Sequence, residues 1–323
     1  MASNTQLGRK GWLGLANEIT QGVPLAPTDY LPFTANTLHG VQQPIADQTA
    51  RGLRDKNYGS VLGKRWSEGD IEWHLDPSLS GYFLGSAFGT NTQSSLGGGF
   101  YSHALSRNNS NQPVESLTLT NDRVVDREYF SGAVVDTLEI KVADQFIDAK
   151  ASVKAFFPQT SVSGTGTTTS GTLFTWANYT TSFGTVASGI ANATVPFRMT
   201  DFDFSLKNNV EETWRSGTYD PVTIEYKEFE VEGNYTIFFE NTADKNNYYN
   251  VTKDAIVFKA TGATLNGNTE SLTVNFYQVR LDTFTLETGL DNFYAEKVKW
   301  VAEYNASAGK TVDATLVNTN SNY

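Results

Sequence analysis

One stretch of this chain occurs twice, so any fold it adopts must seat both copies. The first copy runs from Asp136-Thr137-Leu138-Glu139-Ile140 to Phe157, and the second from Asp282-Thr283-Phe284-Thr285-Leu286 to Tyr304. Each opens on a strand-like half, passes Asp-Gln-Phe-Ile (144–147) or Asp-Asn-Phe-Tyr (291–294), and returns through a second strand-like half. The starts lie 146 residues apart in a chain of 323. A second pair, Lys64 to Trp73 and Lys227 to Phe238, lies upstream in the same order. Chance likeness between amphipathic strands is the bland alternative; the shared order favours two copies of one β-rich module.

That length allows one large domain or two modest ones, and the duplication favours two. The expected boundaries are a first module at 1–158, a Thr/Gly/Ser-rich linker or exposed insertion at 159–190, a second module at 191–304 and a mobile tail at 305–323. The aromatic residues, 20 Phe, 15 Tyr and 6 Trp, together with the Thr and Val content, push the reading towards sheet. With no cysteine, the chain has no disulfide framework, thiolate metal site or cysteine nucleophile. No apolar run reaches membrane-spanning length, and Met1-Ala2-Ser3-Asn4-Thr5 is unlike a signal peptide. The expectation is synthesis in a reducing cytoplasm, with no membrane insertion. Net charge is −11: residues 1–158 carry 13 basic and 16 acidic side chains, residues 159–323 carry 11 and 19. No basic patch is available to neutralise phosphates, which argues against sequence-specific nucleic-acid binding.

Along the chain, Gly11, Gly14, Gly22, Pro24, Pro27 and Pro32 mark residues 1–35 as a loop-rich arm with short extended pieces. Residues 36–62 read as a long loop or loose hairpin, and a polar excursion of that length calls for an external reason such as docking on a neighbour. In residues 63–76, Trp66, Glu68, Asp70 and Glu72 alternate with Ser67, Gly69, Ile71 and Trp73, which predicts a strand with one wet face. Asp76-Pro77 then opens a helix that Gly89 ends, with a less regular counterpart at 241–252. Leu117 and Leu119 predict a strand before a turn at Asn121-Asp122, and Ile256–Phe258 and Leu272–Phe276 flank a turn at 267–268.

The chemical readings are weak. His39, His74 and His103 are widely spaced. Asp70, Glu72, His74 and Asp76 alternate on one strand, yet a solvated or interface-facing strand explains them better than a metal or acid–base site. Gly97-Gly98-Gly99 lacks the Lys-Ser/Thr of a phosphate loop, and no Gly-x-Ser-x-Gly elbow occurs. Asp136 and Asp282, at the same place in each copy, read as caps to a backbone N–H. No catalytic residue, metal site or cofactor is expected. A structural role fits better. Exposed sheet edges must be covered or joined, and a ring joins them. Two-module subunits would close a sixfold barrel with three copies, and stacked rings would use the N-terminal arm, the 36–62 loop and the C-terminal tail as contacts.

A family carries this pattern. Glu18-Ile19-Thr20 with Pro24 and Pro27, Leu31-Pro32-Phe33, the polar segment 43–56, Gly63 through Glu68-Gly69-Asp70-Ile71-Glu72, Leu79 to Leu84, and Gly99-Phe100 with His103 resemble the siphovirus-type major tail tube proteins of tailed phages. The resemblance spans nearly the whole chain at the level of pattern, with no short invariant signature. It implies a mainly β fold: two similar antiparallel sandwich or half-barrel modules, each with a short helix, joining sheets between subunits into a ring-shaped barrel. It further implies trimeric, pseudo-hexameric rings (hexamers as the alternative), stacked on a tape measure protein. Terminator and distal tail or baseplate proteins would bind at the ends, in a virion tail assembled in the host cytoplasm. DNA would pass through the lumen without specific binding. Glu68, Asp70, Glu72, Glu230 and Glu232 are the expected channel-lining or channel-bordering residues, since an acidic lumen repels the DNA backbone. Arg51, Arg54, Asp55 and Lys56 are the expected inter-ring or inter-subunit contacts. The rival readings are a tail terminator or baseplate hub, and a surface carbohydrate-binding β-sandwich.

Overall fold

The computed structural model describes residues 7–109, 114–142, 145–160, 166, 172–186, 199–288 and 293–323. Its longer elements, in chain order, are strands β1 (Trp12–Asn17) and β2 (Arg65–His74), helix α1 (Ser80–Phe88), and strands β3 (Gly89–Gly97), β4 (Phe100–Arg107), β5 (Leu117–Asp122), β6 (Arg127–Val142), β7 (Ile147–Ala155), β8 (Tyr179–Thr185), β9 (Met199–Lys207) and β10 (Glu230–Phe238). Helix α2 (Ala243–Asn250) follows, then β11 (Lys253–Leu265), β12 (Asn268–Glu287), β13 (Ala295–Ala302) and β14 (Val312–Asn318). Period-two burial explains most of the strands. In β7, Ile147, Ala149, Ala151, Val153 and Ala155 are buried while Asp148, Lys150, Ser152 and Lys154 are not.

All pairings are antiparallel. One layer, the wall, runs in the order 35–42, β2, β7, β6, β9, β10, β13, β12. Two long strands, β6 of 16 residues and β12 of 20, leave the wall and continue into a second layer. There the first half of β6 pairs with β5, which pairs with β1. The first half of β12 pairs with β11 and β14, β11 with β8, and β14 with the β4–β3 hairpin. The register shifts in β6 between Val135 and Thr137, and in β12 between Leu281 and Thr283. Bulges bend a strand, and these two, at Asp136 and Asp282, mark where each long strand turns from one layer into the other. A second shift falls between Leu117 and Leu119 in β5 and between Asp254 and Ile256 in β11. Beside it, Leu119 faces Phe130 and Ile256 faces Phe276, with both Phe rings fully buried.

The core lies between the layers. Phe202, Phe204, Phe258, Phe276 and Trp300 form an aromatic cluster with ring centroids 4.9 to 6.1 Å apart. Helix α1 is buried on every side, with Phe83 4.5 Å from Trp73. Asp76 Oδ1 accepts from the N–H groups of Ser78 and Leu79, and Gly89 ends the helix at φ +82°. Helix α2 stands where a counterpart of α1 was expected, directly after β10.

Several expectations need correcting. Residues 305–323 are no mobile tail. Val312, Ala314 and Leu316 are buried in β14 between β12 and β4, and the Tyr323 hydroxyl donates to the Ser78 carbonyl at 2.5 Å. The Asn- and Thr-rich composition hid a two-residue period. Residues 159–190 are not all linker: β8 pairs along its length with β11, and Phe174 is fully buried. The run 160–172 lies outside the described residues except at 160, 166 and 172. Residues 1–35 contain more than an arm, because Leu13 and Leu15 of β1 are core. Asn121 and Asp122 belong to β5, and the turn follows at 123–126. The turn between β11 and β12 is Asn266-Gly267. Residues 36–62 do hold a hairpin, Ile45–Asp47 against Gly59–Val61. Among the described residues no closed barrel forms.

Candidate functional site: a polar sheet face between two edges

The strand that carries Glu68, Asp70 and Glu72 buries Ser67, Ile71 and Trp73 and turns the acids outwards. In β10, Glu230 and Glu232 alternate with buried Val231, Gly233 and Tyr235. Cross-strand pairs share a face, so the register assembles these residues into one polar surface over eight strands. Lys150 lies opposite Glu72, Ser152 opposite Asp70, Glu139 opposite Ser205, Lys207 opposite Glu230, and Thr283 opposite Lys299. All five predicted acids therefore lie on the same side of the wall. His74 joins them, bonded to Asp148 at 2.7 Å. Asp76 does not: it is 3% exposed beneath α1, where burial pushes its carboxyl up to about 6.

The face is not purely acidic. Lys150 sits 2.8 Å from Asp70 and 3.7 Å from Glu72. Glu232 binds both Lys207 and Lys299, the latter at 2.9 Å, and Lys297 reaches Glu287 at 2.6 Å. Burial alone would raise the Asp70 carboxyl, but hydrogen bonds from Lys150 and Ser152 outweigh it and hold the group low. Bonds from Lys207 and Lys299 hold Glu232 low, and the Asp70 bond raises Lys150 in turn. Exposed to solvent, these pairs add little to stability. Their effect is to fix charges in rows, acids on β2 and β10 beside lysines on β7 and β13. The sequence reading missed this because a neighbouring strand's identity is not visible in a single strand's alternation.

The wall ends in two edges. At one, residues 35–42 pair with β2 alone. Thr37 donates to the Asp70 carbonyl at 2.8 Å and Gln43 to that of Lys64 at 2.9 Å, so the odd residues face β2 and the even ones face outwards. The outward groups of Leu38 are held by side chains: its N–H donates to Asn36 Oδ1 at 3.0 Å, and its carbonyl accepts from Arg123 at 2.8 Å and Asn121 at 3.3 Å. At the other end, β11 covers β12 only as far as Arg280, and among the described residues no strand pairs with the remainder of that edge.

The join in the middle of the wall, β6 against β9, shows what completes such an edge. Thr137 lies opposite Lys207 and the register continues to Val142 opposite Phe202. Asp136, which marks the bulge, accepts from Val210 N–H through its side chain at 2.6 Å and from Asn208 N–H through its carbonyl at 2.8 Å. It thus caps a backbone donor, but one from β9's exit loop. Beyond β9 a small hairpin, Glu211–Thr213 with Thr223–Glu225, lies over the start of β2. Arg65 forks onto Asp220 at 2.6 and 2.8 Å, Lys154 reaches Glu212 at 3.2 Å, and the Lys64 ammonium sits 4.2 Å from the Trp214 ring. Val210 and Ile224 pack with Val114 and Val134 underneath.

The hairpin with strands Ile45–Asp47 and Gly59–Val61 occupies the same place between 35–42 and β2 but lacks such a seat. Ile45, Leu53 and Val61 are 60%, 68% and 67% exposed. Arg54, Asp55 and Lys56 are exposed at its tip. Arg51 pairs with Asp47 and covers the Tyr58 ring at 4.8 Å. Among the described residues no cluster of His, Cys, Asp and Glu is placed to hold a metal ion, and no helix is long and apolar enough to cross a membrane. In comparison with known proteins, the family model described as phage tail tube protein matches residues 8–316. No curated protein matches the chain.

Proposed function

The chain belongs to the phage tail tube protein family, and from that premise we propose that it is the structural subunit that stacks in rings to form the tube wall. The family is structural, not enzymatic, and places the chain in the virion tail. The observation that carries the tube reading is the repeated layout of the wall. Strands 35–42, β2, β7 and β6 pair in that order, and β9, β10, β13 and β12 pair in the same order. Gly69 faces Val153 in the first set as Gly233 faces Trp300 in the second. Helices α1 and α2, the bulges at Asp136 and Asp282, and the pairs Leu119–Phe130 and Ile256–Phe276 support the same reading of two modules, about 12–160 and 179–318. Each module supplies four wall strands and leaves one edge to be completed.

Three chains would place about 24 wall strands side by side. At ~4.8 Å per strand the ring is about 37 Å across, more once the strands tilt. In this reading the polar face with Glu68, Asp70, Glu72, Glu230 and Glu232 lines the lumen. Its apolar reverse is already used by the core, and Lys150, Lys207, Lys297 and Lys299 are already paired with carboxylates, so the face presents DNA with acids whose neighbouring cations are largely engaged. Arg51, Arg54, Asp55 and Lys56 belong to contacts between subunits. A tape measure protein inside and terminator and distal tail proteins at the ends complete the set of partners, with assembly in the host cytoplasm. A terminator would cap a tube and not polymerise. Negative-stain imaging of the purified chain with its mass in solution separates the readings: tubes or threefold rings support the subunit, and a chain that stays monomeric at high concentration refutes it.

A further inference from the structure

The order of the wall contains its own template for contact between two copies. Shifting from the first set of strands to the second carries 35–42 onto β9, β2 onto β10, β7 onto β13 and β6 onto β12. The join between the sets is β6 with β9. Carried one step further, that join pairs β12 beyond Arg280 with residues 37–42 of another copy of the chain. We propose that this is the contact that closes the ring, antiparallel and in one register, from Thr283 opposite Val41 of the second copy to Glu287 opposite its Thr37. The proposal rests on the tube reading and names its partner surface.

Three observations favour this occupant. First, among the described residues neither edge has a strand partner: the even residues of 35–42 face away from β2, with the outward groups of Leu38 held by side chains, and β12 loses β11 at Arg280. Second, Asp282 stands at the bulge of β12 as Asp136 stands at that of β6. The Asp136 carbonyl accepts from Asn208 N–H, and in the proposed register Gln42 offers the equivalent N–H to the Asp282 carbonyl, while the Asp136 side-chain bond to Val210 has no counterpart, because Pro44 stands there and the Asp282 carboxylate pairs with Arg280 at 3.0 Å. Third, the exposed hairpin 45–61 follows 35–42 as the seated hairpin 211–225 follows β9. On its own chain the latter offers Glu212 and Asp220 to Lys154 and Arg65. At the equivalent place on a second copy, the start of β10, stand Glu228 and Glu230. The unseated hairpin has Arg54 and Lys56 at its tip with Asp55 between them, and Arg51 paired with Asp47, so its exposed tip is net positive and complements the two acids with the signs reversed. That reversal would also keep the two joins from exchanging partners. At Leu38 the incoming strand replaces the Asn36 side chain as partner of the N–H. The carbonyl, with two lone pairs, keeps Arg123 and exchanges the longer bond from Asn121 for a backbone donor.

The register makes a sharp test, since the chain has no cysteine of its own. His39 would face Thr285 as Ser205 faces Glu139 within the chain. The experiment oxidises three double variants under assembly conditions: H39C with T285C, V41C with T283C, and the slipped control V41C with E287C. E139C with S205C serves as the internal standard. The expected result is an intermolecular ladder ending at a covalent trimer for the first two and none for the slipped pair, while the standard closes within one chain. Assemblies that form while both in-register pairs stay monomeric under denaturing conditions, with the internal standard closed, would overturn this contact and leave the tube reading standing. A wild-type chain that forms no assemblies at all would instead refute the tube reading, and this contact with it.

Discussion

Two glycines hold equivalent places in the wall, and adding one methyl group to each should have opposite consequences. A Cβ on Gly69 would lie 2.5 Å from Leu38 Cα and 2.7 Å from the Thr37 carbonyl carbon; on Gly233 it would lie 2.3 Å from the Asp203 carbonyl oxygen and 2.4 Å from the Trp300 ring. Real Cβ atoms essentially never approach that closely, so the adjacent strand must retreat. Strand 35–42 lies at the end of the wall and can back away from Gly69. Strand β9 cannot, because it is held between β10 and β6, and Trp300 is fully buried. Overpacking costs about 1–3 kcal/mol, and the confined site belongs at the top of that range. Gly69→Ala is therefore expected to cost about 1 kcal/mol in urea unfolding of the monomer, and Gly233→Ala about 3. Assembly should rank the other way relative to stability. The Gly69 variant stays folded but displaces the edge that the neighbouring copy must meet, so light scattering and electron microscopy should show few or no tubes under conditions where it is fully folded. Equal unfolding costs, or a Gly69→Ala chain that assembles like wild type, would refute the reasoning.

Tyr323→Ala should cost about 3 kcal/mol in the same unfolding assay, because its ring packs at 5.1 Å on Tyr82 and 4.8 Å on His103; a neutral result would restore the mobile tail. Burial, with Asp244 beside it, pushes Glu296 up to about 7 from its ordinary 4.5, so the folded state holds a proton that the unfolded chain has already lost. Stability should fall as pH rises from about 4.5 to 7 and level off above, and Asp76 and Asp254, raised by burial to about 6, add to the slope. Glu296→Gln should flatten that slope and raise the melting temperature at pH 8, and an unchanged pH profile would contradict it. Replacing residues 48–57 by an Asn-Gly turn should leave stability within about 0.5 kcal/mol, since the hairpin is exposed, yet abolish closed rings by sedimentation.

Much of the wall was legible because a period of two survives wherever one face meets a core and the other meets water. Alternation alone placed Glu68, Asp70 and Glu72 on one side of β2, and the doubled hairpins 136–157 and 282–304 pointed to a repeated layout. Asp76 was read two ways: alternation carried it on along the strand face, which is wrong, while Asp76-Pro77 as a helix opening matches the structure, where the carboxylate turns in to cap the N–H groups of Ser78 and Leu79 ahead of α1. The segment 312–318 was hidden for a different reason. Its buried residues are small or few, and Asn and Thr between them resemble a solvated tail until β12 and β4 supply partners on both sides. Cross-strand chemistry was the least visible, since Lys150 is 80 residues from Asp70 in sequence and only the register brings them to 2.8 Å. The seat of the 211–225 hairpin on Lys64, Arg65 and Lys154 escaped for the same reason, because charge pairing across distant strands leaves no local pattern.

An electron cryomicroscopy map of assemblies grown from the purified chain addresses the whole scheme at once. It should show hollow tubes of threefold rings, with a continuous strand wall, the Glu68 and Glu232 rows turned to the lumen, and each β12 edge met by the 35–42 strand of the next copy. Solid fibres, or a hollow wall carrying those two glutamates on its outer surface, would contradict it.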